Sequence, residues 1–409
     1  MGEQWTTSTL GACVSVSSGG TPSKARPEYW GGSVPWVSCK DMKVDRIYDS
    51  EDHLTLDGAA NGTRWAPVGS ILIVVRGMIL AREFPVGLVI RPVTFNQDLK
   101  ALETLETLEP KFLYYWLKAR TYDILGVVDE AGHGTKRLQS DRLMNQPIRF
   151  PSRSMQRRMV DVLCAYDDLI ENSQKRIVAL DEMVRAIFRA CVINGQPSVP
   201  LATPTAQELI NDGVIEINDG YRAKNSELGQ PGLPFARAGN IDDGFHMADA
   251  DMLHESNVGR AGAKVSREGD VVFTSKGTVG RFAWVRSRTP RFVYSPQLCF
   301  WRVLRPDVLS PRYLCRWMKS PAFVMQLDRV KGSTDMADYV SLTDQRRMRV
   351  DVPPQAVQRE FDAAAAPLDD LIDSLRERIA TLRATRDLLL PRLISGELDV
   401  SRVPDPASL

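Results

Sequence analysis

The sequence of this 409-residue chain contains the same pattern twice. The segment Phe150–Arg157 returns 202 residues later as Val352–Arg359, with a proline second and Gln-Arg at the end of both. The same offset aligns Asp167–Glu171 with Asp369–Asp373, two segments in which Leu-Ile lies between acidic residues. A repeat of half the chain is too long for a solenoid unit and indicates a duplicated module. Two equivalent modules suggest two equivalent tasks performed at two places.

The first part of each repeat is predicted to be a mixed α/β module. Landmarks recur there at offsets of 199 to 200, as in Val34–Trp36 with Leu233–Phe235 and Arg76 with Lys276. Short β-branched and aromatic runs between glycines and prolines predict strands. The expected strands are 70–75, 86–90, 270–274, 281–285 and 298–303, and helices are expected at 111–117 and 311–317, aligned at offset 200.

The second part of each repeat is predicted to be a long helix. Pro151 and Pro353 mark the helix starts, and Gly195 and Gly396 mark the ends, giving about 35–40 residues and roughly 50–60 Å. Apolar residues alternate steps of four and three, the seam of a coiled coil, with one polar interruption in each helix, Ser173 or Arg386, that could fix the register. The seam residues are Tyr166, Ile170, Ile177, Leu180, Val184 and Ile187, and then Leu368, Ile372, Leu375, Ile379, Leu382 and Leu389.

These patterns predict an α+β chain with an internal pseudo-two-fold repeat. Two target-binding modules alternate with two long helices that pair antiparallel as a coiled coil. The expected boundaries are 1–150 for the first module, 151–196 for the central helix, 197–351 for the second module, and 352–409 for the C-terminal helix and tail.

The composition is that of an ordinary globular protein and favours the cytoplasm. Hydrophobic residues make up 43% and charged residues 25% of the chain, and the longest apolar run, Ile71–Val75, is far too short to span a bilayer. The first residues lack the pattern of a signal peptide. Six scattered cysteines without a Cys-x-x-Cys pair indicate reduced thiols, and four histidines make a histidine metal site unexpected.

The motifs of catalysis are absent from the sequence. It contains no phosphate-binding Gly-x-x-x-x-Gly-Lys-Ser/Thr loop, no dinucleotide fingerprint and no Asn/Asp-Pro-Pro-Tyr/Phe element of amino-methyltransferases. The paired carboxylates Asp167-Asp168 and Asp369-Asp370 lie early on the long helices, where an interaction with the helix dipole is favoured over a metal site. We therefore expect neither a catalytic residue nor a metal site.

Side chains suited to reading DNA remain. Arginine or lysine reads guanine, asparagine or glutamine reads adenine, and basic or hydroxyl groups contact phosphates. The pairs Lys40/Asn240, Arg76/Lys276 and Gln97/Gln297 gain weight because they fall at equivalent places in the two modules. The candidates are Ser23, Lys24, Lys40, Arg76, Gln97, His133, Thr135 and Lys136 in the first module, and Arg237, Asn240, Lys276, Arg281, Gln297, Lys331 and Ser333 in the second.

In this order the motifs resemble the specificity subunit of a Type I restriction-modification system over nearly the whole chain. They are the Gly-Gly-Thr-Pro opening from Gly19, Arg76-Gly77, Asn96-Gln97-Asp98, Phe150-Pro151 with Gln156, and the ending Leu393–Val400. The second module departs from this pattern, with Gly220-Tyr221 in place of the opening.

The resemblance implies a non-catalytic targeting role. It implies a bipartite, asymmetric site on double-stranded DNA, one half per module, with helix length setting the unspecified gap. The implied partners are two methyltransferase subunits, which would use S-adenosylmethionine to methylate adenine N6 after base flipping, and a translocating restriction subunit. The resemblance implies no cofactor for the chain itself.

Two other functions stay open at this point. A protein–protein scaffold with a coiled-coil rod would differ from a DNA reader by binding its partner without steep salt dependence. A fused methyltransferase or nuclease would bind S-adenosylmethionine tightly by itself or carry catalytic motifs.

Overall fold

The computed structural model describes residues 5–130, 135–194, 202–242, 244–333 and 338–400. Its contacts divide the chain into two compact units, Met1–Gln174 with Arg376–Leu409 (unit 1) and Lys175–Leu375 (unit 2). Both divisions fall inside a long helix, so each unit consists of one module and a part of both helices. The four segments expected from the sequence follow one another along the chain, whereas unit 1 combines two separate segments. The expected domain boundaries stay predictions.

Unit 1 contains a five-stranded sheet, a four-stranded sheet, two pairs of strands (β1 with β13 and β11 with β12) and a set of short helices. Its strands are β1 Thr6–Thr9, β2 Val14–Ser18, β3 Trp30–Val37, β4 Arg46–Ile47, β5 Asp52–Leu54, β6 Arg64–Ala66, β7 Ile71–Val74, β8 Val86–Val89, β9 Val93–Phe95, β10 Leu99–Thr104, β11 Val128–Glu130, β12 Lys136–Leu138 and β13 Pro147–Phe150. Its helices are α1 Leu56–Ala60, α2 Pro110–Ala119, α3 Thr121–Leu125, α4 Ser140–Met144 and the first part of α5 Arg153–Phe188.

The larger sheet of unit 1 has the strand order β2-β10-β7-β8-β4, and the smaller one has β5-β3-β9-β6. All four residues of β7 and of β8 are buried, as expected for strands without alternating polar residues that are covered on both faces. Helix α2, the start of α5 and the last turns of α11 (Gln355–Ile394) contribute to the same hydrophobic core.

Unit 2 repeats this architecture. Its strands are β14 Ile215–Asp219, β15 Gly232–Ala236, β16 Met252–His254, β17 Val271–Thr274, β18 Phe282–Trp284, β19 Val293–Tyr294, β20 Leu298–Val303, β21 Gly332–Ser333 and β22 Asp338–Tyr339. Its helices are α6 Ala206–Asn211, α7 Glu255–Ala261, α8 Pro311–Met318, α9 Pro321–Val330, α10 Leu342–Arg347 and parts of α5 and α11. The sheets have the orders β14-β20-β17-β18 and β16-β15-β19, so the expected strands and both expected helices are confirmed.

The alignment of the two modules shifts by one residue at several places. Helices α2 and α8 both begin at a proline, Pro110 and Pro311, so their offset is 201 and not 200. The hydrogen-bond partners of two glutamines on the long helices show the same offset of 201. Gln156 accepts from the amide of Glu109 and donates to the carbonyl of Thr107. Gln358 makes the same two hydrogen bonds with Ser310 and Val308, each 201 positions later.

In both units a glycine directly follows the edge strand of the larger sheet, β2 or β14. A Cβ on Gly19 would lie 2.2 Å from the carbonyl oxygen of Phe95, and one on Gly220 would lie 2.0 Å from that of Ser295. Both glycines allow two backbones to approach where a side chain does not fit. Gly220 therefore takes the place of Gly19, although the rest of the Gly-Gly-Thr-Pro opening is missing in unit 2.

The predicted long helices are confirmed as α5, with 36 residues, and α11, with 40 residues. Each of the predicted seam residues is buried or half-buried. In unit 2, Arg316 binds both Asp181 of α5 and Asp369 of α11, and the rings of Phe188 and Phe361 lie 5.4 Å apart. Asp181 of α5 thus lies near Asp369 of α11, and Phe188 lies near Phe361. Residue numbers rise along α5 in the direction in which they fall along α11, so the two segments run antiparallel.

The two polar interruptions of the seam behave differently. Ser173 donates to the carbonyl of Leu169 in its own helix at 2.7 Å, so its hydroxyl does not fix the register. Arg386 donates to Asp167 at 2.6 Å within unit 1, which ties α11 to α5 at one register, as the sequence suggested.

Within the described ranges, no helix combines the length and the apolar character that crossing a membrane requires. All six cysteines lie in those ranges and are free thiols.

Candidate nucleic-acid interface

The predicted DNA-contacting side chains of unit 1 gather where β3, β7 and β9 end. The Cys39 thiol lies 3.6 Å from the carbonyl oxygen of Arg76, which places the turn that carries Lys40 beside Arg76. The amide of Gly77 donates to the carbonyl of Lys136 at 3.0 Å. We refer to this region, residues 19–24, 38–41, 76–77, 96–98 and 135–138, as the loop edge of unit 1.

The opening loop joins the same edge. Thr21 donates to the side-chain oxygen of Gln97, and the amide of Gly20 donates to the carbonyl of Phe95 at 2.9 Å. Ser23 and Lys24 follow in this loop and are exposed. Thr135 is half-buried directly before β12, whereas His133 lies outside the described residues. The described candidates of unit 1 thus share one surface, and their contact with DNA stays a prediction.

The cations of this edge differ in whether they are already paired. Lys40 contacts Glu51 and Asp52 at 3.1 and 3.0 Å, and the hydrogen bonds to these carboxylates raise its pKa. Lys136 contacts Glu130 at 3.2 Å. Arg76 is exposed and has no hydrogen bond or ion pair to its side chain within the described ranges. A phosphate would have to compete for the two lysines but not for Arg76.

Cys39 does not add a negative charge to the edge. Burial, assisted by the nearby Asp98 carboxylate, raises the pKa of its thiol to about 11. The thiol therefore stays protonated at neutral pH.

Unit 2 forms a corresponding loop edge from residues 220–224, 237–241, 275–281, 295–297 and 338–340. Gln297 accepts from the amide of Ala238 at 3.1 Å, and its carbonyl accepts from Ser275 at 2.8 Å. Arg281 donates to the carbonyl of Ile241 at 3.4 Å. Lys331 contacts Asp338 at 2.8 Å.

Three further candidates of unit 2 have their own surroundings. Arg237 contacts Asp251 at 2.7 Å, so its guanidinium is paired. Lys276 is exposed and, like Arg76, has no side-chain partner in the part of the chain that the structure describes. Ser333 ends β21, and its side chain is not among those described.

Of the three predicted correspondences between the modules, backbone hydrogen bonds support Arg76 with Lys276. In unit 1, Gly77 donates to Lys136 at 3.0 Å and Leu138 donates to Val75 at 2.9 Å. The same two bonds recur in unit 2, where Gly277 donates to Asp338 and Val340 donates to Ser275, each at 2.9 Å. Both cations therefore emerge from the same turn of the scaffold.

The other two correspondences are wrong by one residue. Asp41 and Asn240 both accept, at 2.8 Å, a hydrogen bond from the amide three residues earlier, so Asn240 corresponds to Asp41 and not to Lys40. The backbone carbonyl of Asp98 accepts from the amide of Val75, and that of Gln297 accepts from the amide of Ser275. Gln297 therefore corresponds to Asp98 and not to Gln97. The side-chain oxygen of Asn240 stabilises a turn, as the carboxylate of Asp41 does.

The residues opposite the two cations were not among the candidates from the sequence. Arg76 pairs with Arg137, and Lys276 pairs with Tyr339, each in an isolated antiparallel bridge. Arg137 and Tyr339 are both exposed. Arg137 and Tyr339 are 202 positions apart, the offset that aligns Phe150 with Val352. Extending that alignment toward the N-terminus would have matched these two residues.

The acidic pairs of the long helices hold the modules in place. Asp167 and Asp369 lie well beyond the first turn of α5 and α11, where the helix dipole no longer acts, so the dipole interpretation is wrong. Tyr115 donates to Asp167 at 2.5 Å, and Arg316, its counterpart on α8, donates to Asp369 at 2.9 Å. Each carboxylate accepts a hydrogen bond from its own module.

The neighbouring carboxylates bind an arginine in each unit. Arg46 of β4 contacts Asp168 and Glu171 at 2.5 and 2.9 Å. Arg286, which follows β18, contacts Asp370 and Asp373 at 2.7 and 3.2 Å. The two arginines come from different elements, so no repeat in the sequence signals them. The signal that the sequence offered for these contacts was the acidic residues that recur on both long helices at an offset of 202.

Comparison with known proteins agrees with this geometry. Residues 2–182 match the family described as Type I restriction modification DNA specificity domain. The chain is 25% identical over 409 residues to the Type I restriction enzyme MjaIX specificity subunit of Methanocaldococcus jannaschii, covering 95% of this chain and 92% of that protein. It is 37% identical over 163 residues to the Type I restriction enzyme EcoR124I/EcoR124II specificity subunit of Escherichia coli, covering 39% of this chain and 40% of that protein.

A solved structure has the same fold. The S subunit of a Type I restriction-modification system from M. genitalium aligns with a TM-score of 0.56 at 17% identity, covering 96% of both chains. This likeness supports the fold of two mixed α/β modules with two long helices. Together with the sequence matches, it makes the chain similar over nearly all of its length to specificity subunits of Type I restriction enzymes.

Proposed function

We propose that the chain recognises a bipartite, asymmetric sequence on double-stranded DNA, one half through each loop edge, and directs modification and restriction subunits to it. The observation that carries the proposal is the repeated loop edge. Two units with one scaffold present different side chains at matching positions, such as Lys136 in one and Asp338 in the other. The same scaffold with different reading groups fits two different short sequences.

The proposed partners are two adenine-N6 methyltransferase subunits and a translocating restriction subunit. The curated relatives are named as specificity subunits of restriction enzymes, which supports such an assembly for this chain. In this proposal S-adenosylmethionine binds to the methyltransferase subunits, the chain itself needs no cofactor, and the complex acts in the cytoplasm.

Selection from a random duplex library tests the DNA-binding part of the proposal. The full chain, purified with the proposed methyltransferase subunits, should enrich one split motif with a fixed gap. Its affinity should fall steeply between 50 and 200 mM salt, because each neutralised phosphate releases counterions, with a slope of about −0.9 per contact. Methyltransferase subunits purified without the chain are the control. A folded complex that enriches no motif and binds without salt dependence would instead support the protein–protein scaffold.

A further inference from the structure

The bridge at each loop edge contains one shared and one differing residue. Arg76 and Lys276 are both long cations, and they leave the scaffold from turns with the same backbone hydrogen bonds. The residue across the bridge is Arg137 in unit 1 and Tyr339 in unit 2. The two bridges thus keep a charge at one position and change the chemistry at the other.

The shared cations have no structural task within the described ranges. Both side chains are exposed, and neither forms a hydrogen bond or an ion pair there. In contrast, two other cations of the same edges, Lys136 and Arg237, contact carboxylates. A long, exposed, unpaired cation at one place in two units is available for a ligand that both units meet.

The feature that two different half-sites have in common is the phosphate backbone. Phosphate contacts set the position of a protein on the duplex and carry no sequence information, whereas base edges carry it. Lysine and arginine both bind phosphate, but they are not interchangeable where a fork of donors must match a base. A position that holds arginine in one unit and lysine in the other therefore fits a phosphate contact better than a base contact.

The differing residues have side chains suited to bases. Arg137 is exposed and offers the guanidinium fork that recognises guanine O6 and N7. Its cross-strand neighbour Asp129 binds Gln139 and Arg142 instead. Tyr339 is 41% exposed and lies on Gly332, where an added Cβ would be 3.2 Å from the ring. A tyrosine held in this way offers a hydroxyl and a ring face.

We propose that Arg76 and Lys276 clamp a phosphate in each half-site, while Arg137 and Tyr339 contact bases and make the two half-sites different. This assignment rests on the proposed function, because it divides the loop edge of a DNA reader into positioning and reading groups. It predicts that the four substitutions fall into two classes with different effects.

Salt titrations of DNA binding and mapping of the bound motif separate the two classes. R76Q and K276Q should each make the negative slope of log affinity against log salt shallower by about 0.9. They should weaken binding to specific and random duplexes by the same factor and leave the motif unchanged. R137Q should relax the half of the motif read by unit 1, and Y339L the half read by unit 2. The probes are a duplex with the wild-type motif and one with both halves scrambled.

The controls remove a charge far from the loop edge in each unit. Lys111 lies at the start of α2, and Arg267 lies in the turn before β17, at the opposite end of the strand from Lys276; both are exposed. K111Q and R267Q should leave slope and motif unchanged. An equal slope change in these controls, or a changed motif in R76Q or K276Q, would overturn the assignment. A wild-type complex without sequence-specific binding would contradict the proposed function itself.

Discussion

Replacing Arg302 with methionine is expected to destabilise unit 2 by about 3–5 kcal/mol, the usual cost of removing one partner of a buried ion pair. Arg302 donates two hydrogen bonds of 2.7 Å to Asp270, and further ones to the carbonyls of Ala263 and Val265 at 3.1 Å. Asp270 is fully buried, and Arg302 is 3% exposed. The variant leaves the Asp270 carboxylate in the core without its counter-charge.

Hydrogen exchange measured by mass spectrometry on the full chain checks this result within one sample. Amides of β17 and β20 should exchange faster by a factor that corresponds to the lost free energy. Those of β7 and β10 in unit 1 should keep their wild-type rates and serve as the internal control. Wild-type protection of β17 and β20 in R302M would contradict the prediction.

Unit 1 shows which substitutions should restore the loss. The positions equivalent to Asp270, Tyr294 and Arg302 are Ser70, Phe95 and Glu103, so the same scaffold folds there without this ion pair. The variant R302M with D270S and Y294F removes the stranded carboxylate and the tyrosine hydroxyl that bonds it at 2.7 Å. We expect it to regain most of the lost stability, because it leaves no buried charge without a counter-charge, and replacing a whole buried ion pair is often nearly neutral.

Replacing Gly220 with alanine is expected to destabilise unit 2 by about 1–3 kcal/mol, since it forces a methyl group into a closed space. The new Cβ would lie 2.0 Å from the carbonyl oxygen of Ser295 and 2.4 Å from that of Tyr294. Both contacts are with backbone, which cannot rotate away as a side chain can. The substitution G19A should have a similar effect in unit 1, where the carbonyl oxygen of Phe95 lies 2.2 Å away.

Gly259 provides the matched control for this substitution. It lies in helix α7 of the same unit, and an added Cβ would meet no atom within 4 Å. Alanine there should stabilise the unit by about 0.5–1 kcal/mol, because glycine is a poor residue inside a helix. Thermal unfolding of G220A and G259A should therefore shift in opposite directions. Equal shifts would show that the close backbone approach at Gly220 has no energetic weight.

The repeat predicted the architecture because the two modules share their backbone requirements. Runs such as 71–74 and 271–274 are short and rich in β-branched residues, which favours a strand covered on both faces, and prolines precede both α5 and α11. The correspondence of Arg76 with Lys276 also came from the sequence, because each precedes a glycine with positive φ, Gly77 or Gly277.

The details of the loop edge were less predictable. Insertions and deletions of one residue moved the true partners of Asn240 and Gln297 to Asp41 and Asp98, because a fixed offset cannot follow a turn whose length changes. Arg46 and Arg286 reach equivalent carboxylates from different elements. Such contacts depend on tertiary proximity, which a pattern along the chain does not contain.

A genome-wide map of N6-methyladenine tests the central claim most directly. The chain would be co-expressed with the proposed methyltransferase subunits in a host that lacks adenine methylation. The account predicts one split motif with two different halves and a fixed gap, and R137Q should relax one half of it. Methylation that follows a continuous motif, or both halves changing together in R137Q, would contradict the claim that each unit reads its own half of the site.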